Sequence, residues 1–307
     1  MSHIPVMLNE VIAALNIQPD GMYLDGTLGR AGHSQAILEK LGPQGRLICL
    51  DKDPQAIAYA QALFQDDPRV IVVHQCFSKM TQALESLDLL HQINGVLLDL
   101  GVSSPQLDED QRGFSFMREG PLDMRMDPTQ GISAAQWLAK ADHSEIQGVL
   151  KNYGEEPFAS RIAKKIVEER QTNPIVTTLQ LADLIRTCVP VYQYKHHPAT
   201  KTFQAIRIYI NQELDALDSA LQQSWDILAP GGRLAILSFH SLEDRKVKQF
   251  FRARTTHNLP RGLAIREQDL APLEFSWVLK RERAQAEEIA LNPRARSATL
   301  RVLEKNR

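Results

Sequence analysis

The chain has 307 residues, 43% of them hydrophobic and 23% charged, which is the balance of a globular protein and excludes a disordered or fibrous one. Lys and Arg number 35 against 37 Asp and Glu, a net charge of −2, so any attraction to a polyanion must come from local patches. Cys49, Cys76 and Cys188 lie far apart and match no metal or disulfide spacing, the opening residues lack a secretory leader pattern, and no window holds the ~18 apolar residues of a membrane span. A cytoplasmic protein without metal is expected.

Strands and helices alternate through the first hundred residues. Met22-Tyr23-Leu24 reads as a strand ending in Asp25 and a glycine-rich turn, followed by helical character from Ser34 to Leu41 that stops at Gly42-Pro43. Leu47 to Leu50 ends in Asp51, and Asp53-Pro54 then supplies an N-cap and a first-turn proline for a second helix. Val70 to Val73 is a third strand, Lys79 to Leu90 an amphipathic stretch, and Gly95 to Leu98 a fourth strand leading into Asp99. Four such units predict a parallel sheet covered by helices.

The rhythm then breaks. The next strand-like run, Leu234 to Leu237, arrives far later than a βαβ unit of about 30 residues allows. Between them, Ser133–Lys140, Ser144–Lys151, Phe158–Gln171 and Thr178–Cys188 have helical character, and Thr202–Leu228 carries apolar residues at helical spacing before Pro230-Gly231-Gly232. The reading is an α/β, mostly parallel-sheet domain (1–108 and 205–307) interrupted by an inserted helical domain (109–204).

Ligands of open α/β sheets bind outside the carboxyl ends of the strands, and here three strands finish in aspartate. The turn from Asp25 to Ser34 contains Gly26, Gly29 and Gly32, which let backbone approach a ligand closely. Asp51 ends the second strand, where a carboxylate can accept both hydroxyls of a nucleoside ribose, and with Asp53 capping the helix it is expected to be free to do so. Asp25 sits where its charge would repel a pyrophosphate, so a cationic cofactor such as S-adenosylmethionine suits the turn better than NAD. A nicotinamide dehydrogenase remains the alternative enzyme, and a noncatalytic ribosome-assembly factor the alternative outside catalysis. A DNA amino-methyltransferase would carry a Pro-Pro-aromatic tetrapeptide after the fourth strand, where this chain has Leu100-Gly101-Val102-Ser103.

The string Leu98-Asp99-Leu100-Gly101-Val102-Ser103-Ser104-Pro105-Gln106-Leu107, continued by Arg112-Gly113-Phe114-Ser115-Phe116 and Pro121-Leu122-Asp123-Met124-Arg125-Met126, resembles the RsmH (MraW) family of ribosomal RNA small subunit cytidine N(4)-methyltransferases. The resemblance runs the length of the chain, through His3-Ile4-Pro5-Val6, Tyr153-Gly154-Glu155-Glu156, His197-Pro198-Ala199-Thr200, Ser238 to Arg245 and Asn292 to Ser297. It implies a Rossmann-like class I methyltransferase fold. It also implies methyl transfer from S-adenosylmethionine to the exocyclic amine of a cytidine in the decoding region, with small-subunit ribosomal RNA or the assembled small subunit as partner. The family pattern places the donor on Ala31, Gly32, His33, Asp51, Phe77, Asp99 and Gln106, with Asp25 beside them. In amino-methylating enzymes of this architecture the segment at Asp99 holds the target amine, and His240 and Glu243, which follow the fifth strand on the same carboxyl-end face, are candidates for the cytosine pocket. The family commonly has glycine at the position of Ala31, so a left-handed backbone there would be strained. Phosphate contacts are expected from the basic stretch Lys280–Arg307, especially Arg294 and Arg296, from Lys195, His196, His197, Lys201 and Arg207, and from Arg112, Arg118 and Arg125.

Overall fold

The computed structural model describes residues 5–190, 197–257 and 270–306. Among these the chain forms two compact units, one of residues 1–101 and 214–307 and one of residues 102–213.

The first unit is built on seven strands: β1 (Met22–Asp25), β2 (Arg46–Asp51), β3 (Val70–His74), β4 (Ile93–Asp99), β5 (Leu228–Ser238), β6 (Phe275–Glu282) and β7 (Thr299–Lys305). Their order is β3-β2-β1-β4-β5-β7-β6. The first five strands run parallel, and β7 pairs antiparallel with both β5 and β6. The reversal of strand order at β1 makes this a doubly wound, Rossmann-like sheet, whose switch point lies between β1 and β4.

Both faces of the sheet are covered, which is why its strands read as unbroken apolar runs. Tyr23, Leu47, Cys49, Leu97, Ala235 and Leu237 face one core, with Val11, Ile37 and Ile57 from helices Leu8–Leu15, Gly32–Leu38 and Pro54–Leu63. Their neighbours Leu24, Ile48, Leu50, Val96, Leu98 and Ile236 face the other, with Met80, Leu221, Val247 and Phe251 from helices Met80–Glu85, Glu213–Ile227 and Ser241–Arg254. The period of two is therefore present in three dimensions although both phases are hydrophobic.

The second unit is helical. Ala134–Lys140, His143–Gly154, Ala159–Glu169, Thr178–Cys188 and Thr200–Asn211 bury Trp137, Ile146, Leu150, Ile162, Ile166, Leu181, Ile185, Phe203 and Ile206 in one core. Ser133, Asp142 and Thr177 cap three of these helices with their side chains, satisfying amides that the first turn leaves open.

Three expectations change. The apolar-periodic segment Thr202–Leu228 is two helices, broken at Gln212 in the left-handed region (φ 52°). Pro230-Gly231-Gly232 lies inside β5 rather than before it. The basic stretch after Lys280 is not one exposed tail: it holds the end of β6, helix Ala286–Leu291 and β7, and β7 has Leu300, Val302 and Leu303 fully buried, with Lys305 donating to the carbonyls of Trp225 and Leu228.

Candidate active site

The turn after β1 is stitched to both neighbouring strands. Gly26 N donates to Leu97 O of β4 (2.9 Å) and Leu28 N to Leu50 O of β2 (3.1 Å). The Thr27 hydroxyl accepts from Asp99 N at 2.6 Å, and Gly29 N donates to Asp51 Oδ2 at 2.9 Å. The turn thus locks Asp25, Asp51 and Asp99 around one strand-end crevice. Two of its residues are left-handed, Gly29 (φ 51°) and Ala31 (φ 60°), so the anticipated strain at Ala31 is present. At Gly26 and Gly32 a Cβ would lie 2.6 Å from Leu98 Cδ2 and 2.3 Å from Pro5 Cγ, so both glycines are required by close packing.

Asp25 is buried; it accepts from Thr27 N (3.0 Å) and from the Ser34 hydroxyl (2.6 Å), and its carboxyl is raised above the usual range by burial. Burial pushes Asp51 up to about 6, opposed by the amides of Asp53 and Gly29 and reinforced by the charges of Asp53 and Asp25. Burial likewise pushes Asp99 up to about 6, His33 opposing and Asp25 and Glu243 adding to it. Asp53 caps helix Pro54–Leu63 as expected, accepting from Gln55 N. Asp51 is nevertheless not idle: besides Gly29 it accepts Asp53 N at 2.8 Å, one bond on each oxygen, which leaves each oxygen a further lone pair. Asp99 Oδ1 is buried and has no hydrogen-bond partner among the described residues.

Around this cluster, Asp25, Ala31, Gly32, His33, Asp51, Phe77 and Asp99 come together in the first unit. Phe77 is half-buried, its Cβ 3.1 Å from the position a Cβ on Gly26 would take, which sets it against the turn. His33 Nε2 lies 3.0 Å from Val6 O, and Nδ1 lies 3.7 Å from Asp99 Oδ2. His240 is the N-cap of helix Ser241–Arg254: its Nδ1 accepts Glu243 N at 3.4 Å, while Glu243 Oε2 accepts the amides of Phe239 and His240.

Gln106 belongs to the second unit. It is buried at the start of helix Ser104–Asp108, where its Oε1 accepts Ser103 N at 3.0 Å. Several arginines expected to reach RNA are committed elsewhere. Arg112 is buried and donates to Met126 O, Arg125 forks onto Asp123, and Arg207 forks onto Glu213. Arg118, Arg294, Arg296 and Lys201 are exposed, whereas Lys195 and His196 lie outside the described residues.

The residues missed by sequence reasoning are Thr27, which fastens the turn to β4, and Ser34, which holds Asp25. Both lie within the glycine-rich string; Thr27, two positions after Asp25, has the spacing of a local turn hydroxyl, whereas Ser34 reaches Asp25 only through the fold.

Comparison with known proteins decides the family. The model of the MraW methylase family matches residues 1–306. The chain belongs to the MraW methylase family. It is accordingly a methyltransferase whose donor is S-adenosylmethionine. Among solved structures it is similar to an rRNA methylase from Streptococcus thermophilus (12% identity, 100% of this chain and 99% of that one, TM-score 0.43). It is also similar to a SAM-dependent methyltransferase from Aquifex aeolicus (7% identity, 98% and 90%, TM-score 0.42). A third is a SAM-dependent O-methyltransferase from Thermotoga maritima (10% identity, 100% and 68%, TM-score 0.41).

The crevice fits that donor. S-adenosylmethionine carries an ammonium, a sulfonium and two ribose hydroxyls. Asp51, with one bond on each oxygen, and Asp99 Oδ1, without a partner among the described residues, keep acceptor capacity of the kind that an ammonium and hydroxyls take up.

Proposed function

We propose that the protein methylates the exocyclic N4 amine of a cytidine in the decoding region of bacterial small-subunit ribosomal RNA. The observation that carries this is Asp99, a half-buried carboxylate at the end of β4 whose Oδ1 is itself buried and lacks any hydrogen-bond partner among the described residues, beside the turn that would hold the donor. An exocyclic amine has hydrogens to give and a lone pair delocalised into the ring. An acceptor that draws those hydrogens frees the lone pair for attack.

In this reading the backbone of Ala31, Gly32 and His33 cradles the methionine part, Asp51 takes the ribose hydroxyls and Phe77 lies against the adenine. When bound, the donor supplies an electrophilic methyl group on a positively charged sulfur. Asp99 orients the amine, Asp25 and Asp99 favour the positive charge, and burial of the carboxylates keeps water from weakening these interactions. His240 and Glu243 would border the base, and residues 109–204 would shape recognition of the RNA, with exposed Arg118, Lys201, Arg294 and Arg296 meeting phosphates.

Mass spectrometry of small-subunit ribosomal RNA from cells with and without the protein tests the assignment. Loss of one N4-methylated cytidine in the decoding region, restored by the purified protein and tritiated donor, is expected. An unchanged methylation pattern refutes it.

A further inference from the structure

His33 is an imidazole set within the carboxylate cluster around the turn, and its hydrogen bonding fixes what its two nitrogens can do. Nε2 is 3.0 Å from Val6 O, and a carbonyl oxygen only accepts, so Nε2 carries hydrogen. In the neutral ring Nδ1 then presents a lone pair, and it presents it to Asp99 Oδ2 at 3.7 Å. Neutral imidazole facing ionised carboxylate is two lone pairs face to face in a buried site. One proton placed on either partner converts that repulsion into an ion pair or a donor–acceptor contact. The groups that face the pair make the need for this proton stronger. Asp25 at the end of β1 and Glu243 on helix Ser241–Arg254 both add negative charge around Asp99, and Cys49 behind Asp25 is held as the neutral thiol by burial and by that same aspartate.

We infer that His33 is the positioning residue for Asp99, and that the two form a one-proton dyad whose deprotonated state takes up the proton released by the amine. The inference rests on the proposed amine substrate. In the step, the amine nitrogen's lone pair forms the new N–C bond, the C–S pair stays on sulfur, and the N–H pair returns to nitrogen as the proton passes to the dyad. Charge balances inside the crevice: one positive charge disappears from sulfur and one appears on the His33–Asp99 pair. No ion has to leave the buried site while bonds are changing, which matters where separated charge is expensive. Asp99 Oδ1 is the atom with capacity to receive the proton and Nδ1 is the base behind it. The arrangement also accounts for the His33 side chain, which both of its nitrogens commit to protein atoms.

Two measurements on the full chain test this. In donor-free protein with 15N-labelled histidine, the neutral His33 ring is expected as the Nε2–H tautomer, and Asp99→Asn is expected to move the Nδ1 resonance, which faces that carboxylate. The opposite tautomer, or an Nδ1 resonance indifferent to Asp99→Asn, overturns the dyad. In the second, His33→Gln keeps an amide donor for Val6 O and removes Nδ1. Single-turnover methyl transfer is expected to fall by about 10²-fold, with donor affinity little changed and the rising low-pH limb of the rate profile abolished. Wild-type turnover and an unchanged pH profile in His33→Gln overturn it as well. If the wild-type chain methylates no amine, the proposed function fails, and the histidine resonances still decide whether Nδ1 is paired with Asp99.

Discussion

Two sets of aspartates in this molecule have the same side chain and opposite surroundings. Asp67 and Asp123 each accept from an arginine two residues on, through both guanidinium nitrogens and the backbone amide, at 2.6–3.0 Å. Asp244 is gripped in the same forked way by Arg301. The hydrogen bonds of these arginines hold all three carboxyls below their usual range against the cost of burial. Asp25, buried, and Asp51 and Asp99, half-buried, stand at strand ends where no arginine forks onto them among the described residues, and desolvation raises all three. The contrast separates carboxylates held by an arginine fork from three held by backbone amides, a hydroxyl and an imidazole around one turn. In the proposed function a cationic ligand supplies the charge that an arginine supplies elsewhere.

The largest effect should come from the three around the turn. Asp99→Ala is expected to lower single-turnover methyl transfer by about 10²–10³-fold with the fold intact, whereas Asp67→Ala leaves turnover unchanged and costs about 0.5–1 kcal/mol of stability by urea unfolding. Equal activity losses in the two would erase the distinction. Asp51→Ala should weaken donor binding by about 10–100-fold in calorimetry, the worth of hydrogen bonds to a charged group. His240→Ala is expected to slow transfer several-fold with little change in donor affinity, and to cost about 1 kcal/mol through its lost helix cap; unchanged turnover removes it from the site.

The two sets should also part company with pH. The arginine-paired carboxyls, lowered in the folded state, give stability that is present above their unfolded value of 3.8 and lost as pH falls further. Asp51 and Asp99, raised to about 6, give the opposite dependence: their contribution is full below 3.8 and lost as pH rises through about 6. Thermal unfolding of the donor-free protein should therefore show a decline between about pH 4 and 6 that disappears in Asp51→Asn/Asp99→Asn. Donor binding should tighten over the same interval. The smallest effect concerns the turn around which those three stand. Ala31→Gly relieves the left-handed backbone and should stabilise the protein by about 0.5–1 kcal/mol, read as a raised Tm, with turnover unchanged.

The glycine turn and the strand-end aspartates were legible in sequence because each strand stops at a polar residue followed by turn chemistry, a purely local signal. The same holds for Asp53-Pro54 and for Thr178–Cys188, whose cap residue Thr177 stands just before it. The break at Gln212 was not legible, since no glycine or proline marks it. Its neighbour Asn211 is buried, accepting Met126 N and donating to Met124 O, so a contact with residues more than eighty positions away accompanies the break. Arg112 and Arg301 were misread for a related reason. A charged residue in a loop or near a chain end reads as solvent-facing until the fold supplies the carbonyls and carboxylates that bury it. Of the candidate site, the acidic positions were visible. The Thr27 latch and the fixed imidazole of His33 depend on strand pairing and were not.

The placement of β7 has a consequence for how the molecule is made. This strand, the last of the seven in sequence, lies inside the sheet between β5 and β6, and β5 pairs along its length from Arg233 to Ser238 with Glu304 to Thr299. During vectorial synthesis the β5 edge that β7 will cover therefore stays open while residues 239–298 are made, and the nascent chain carries an apolar strand paired on one side only until β7 emerges.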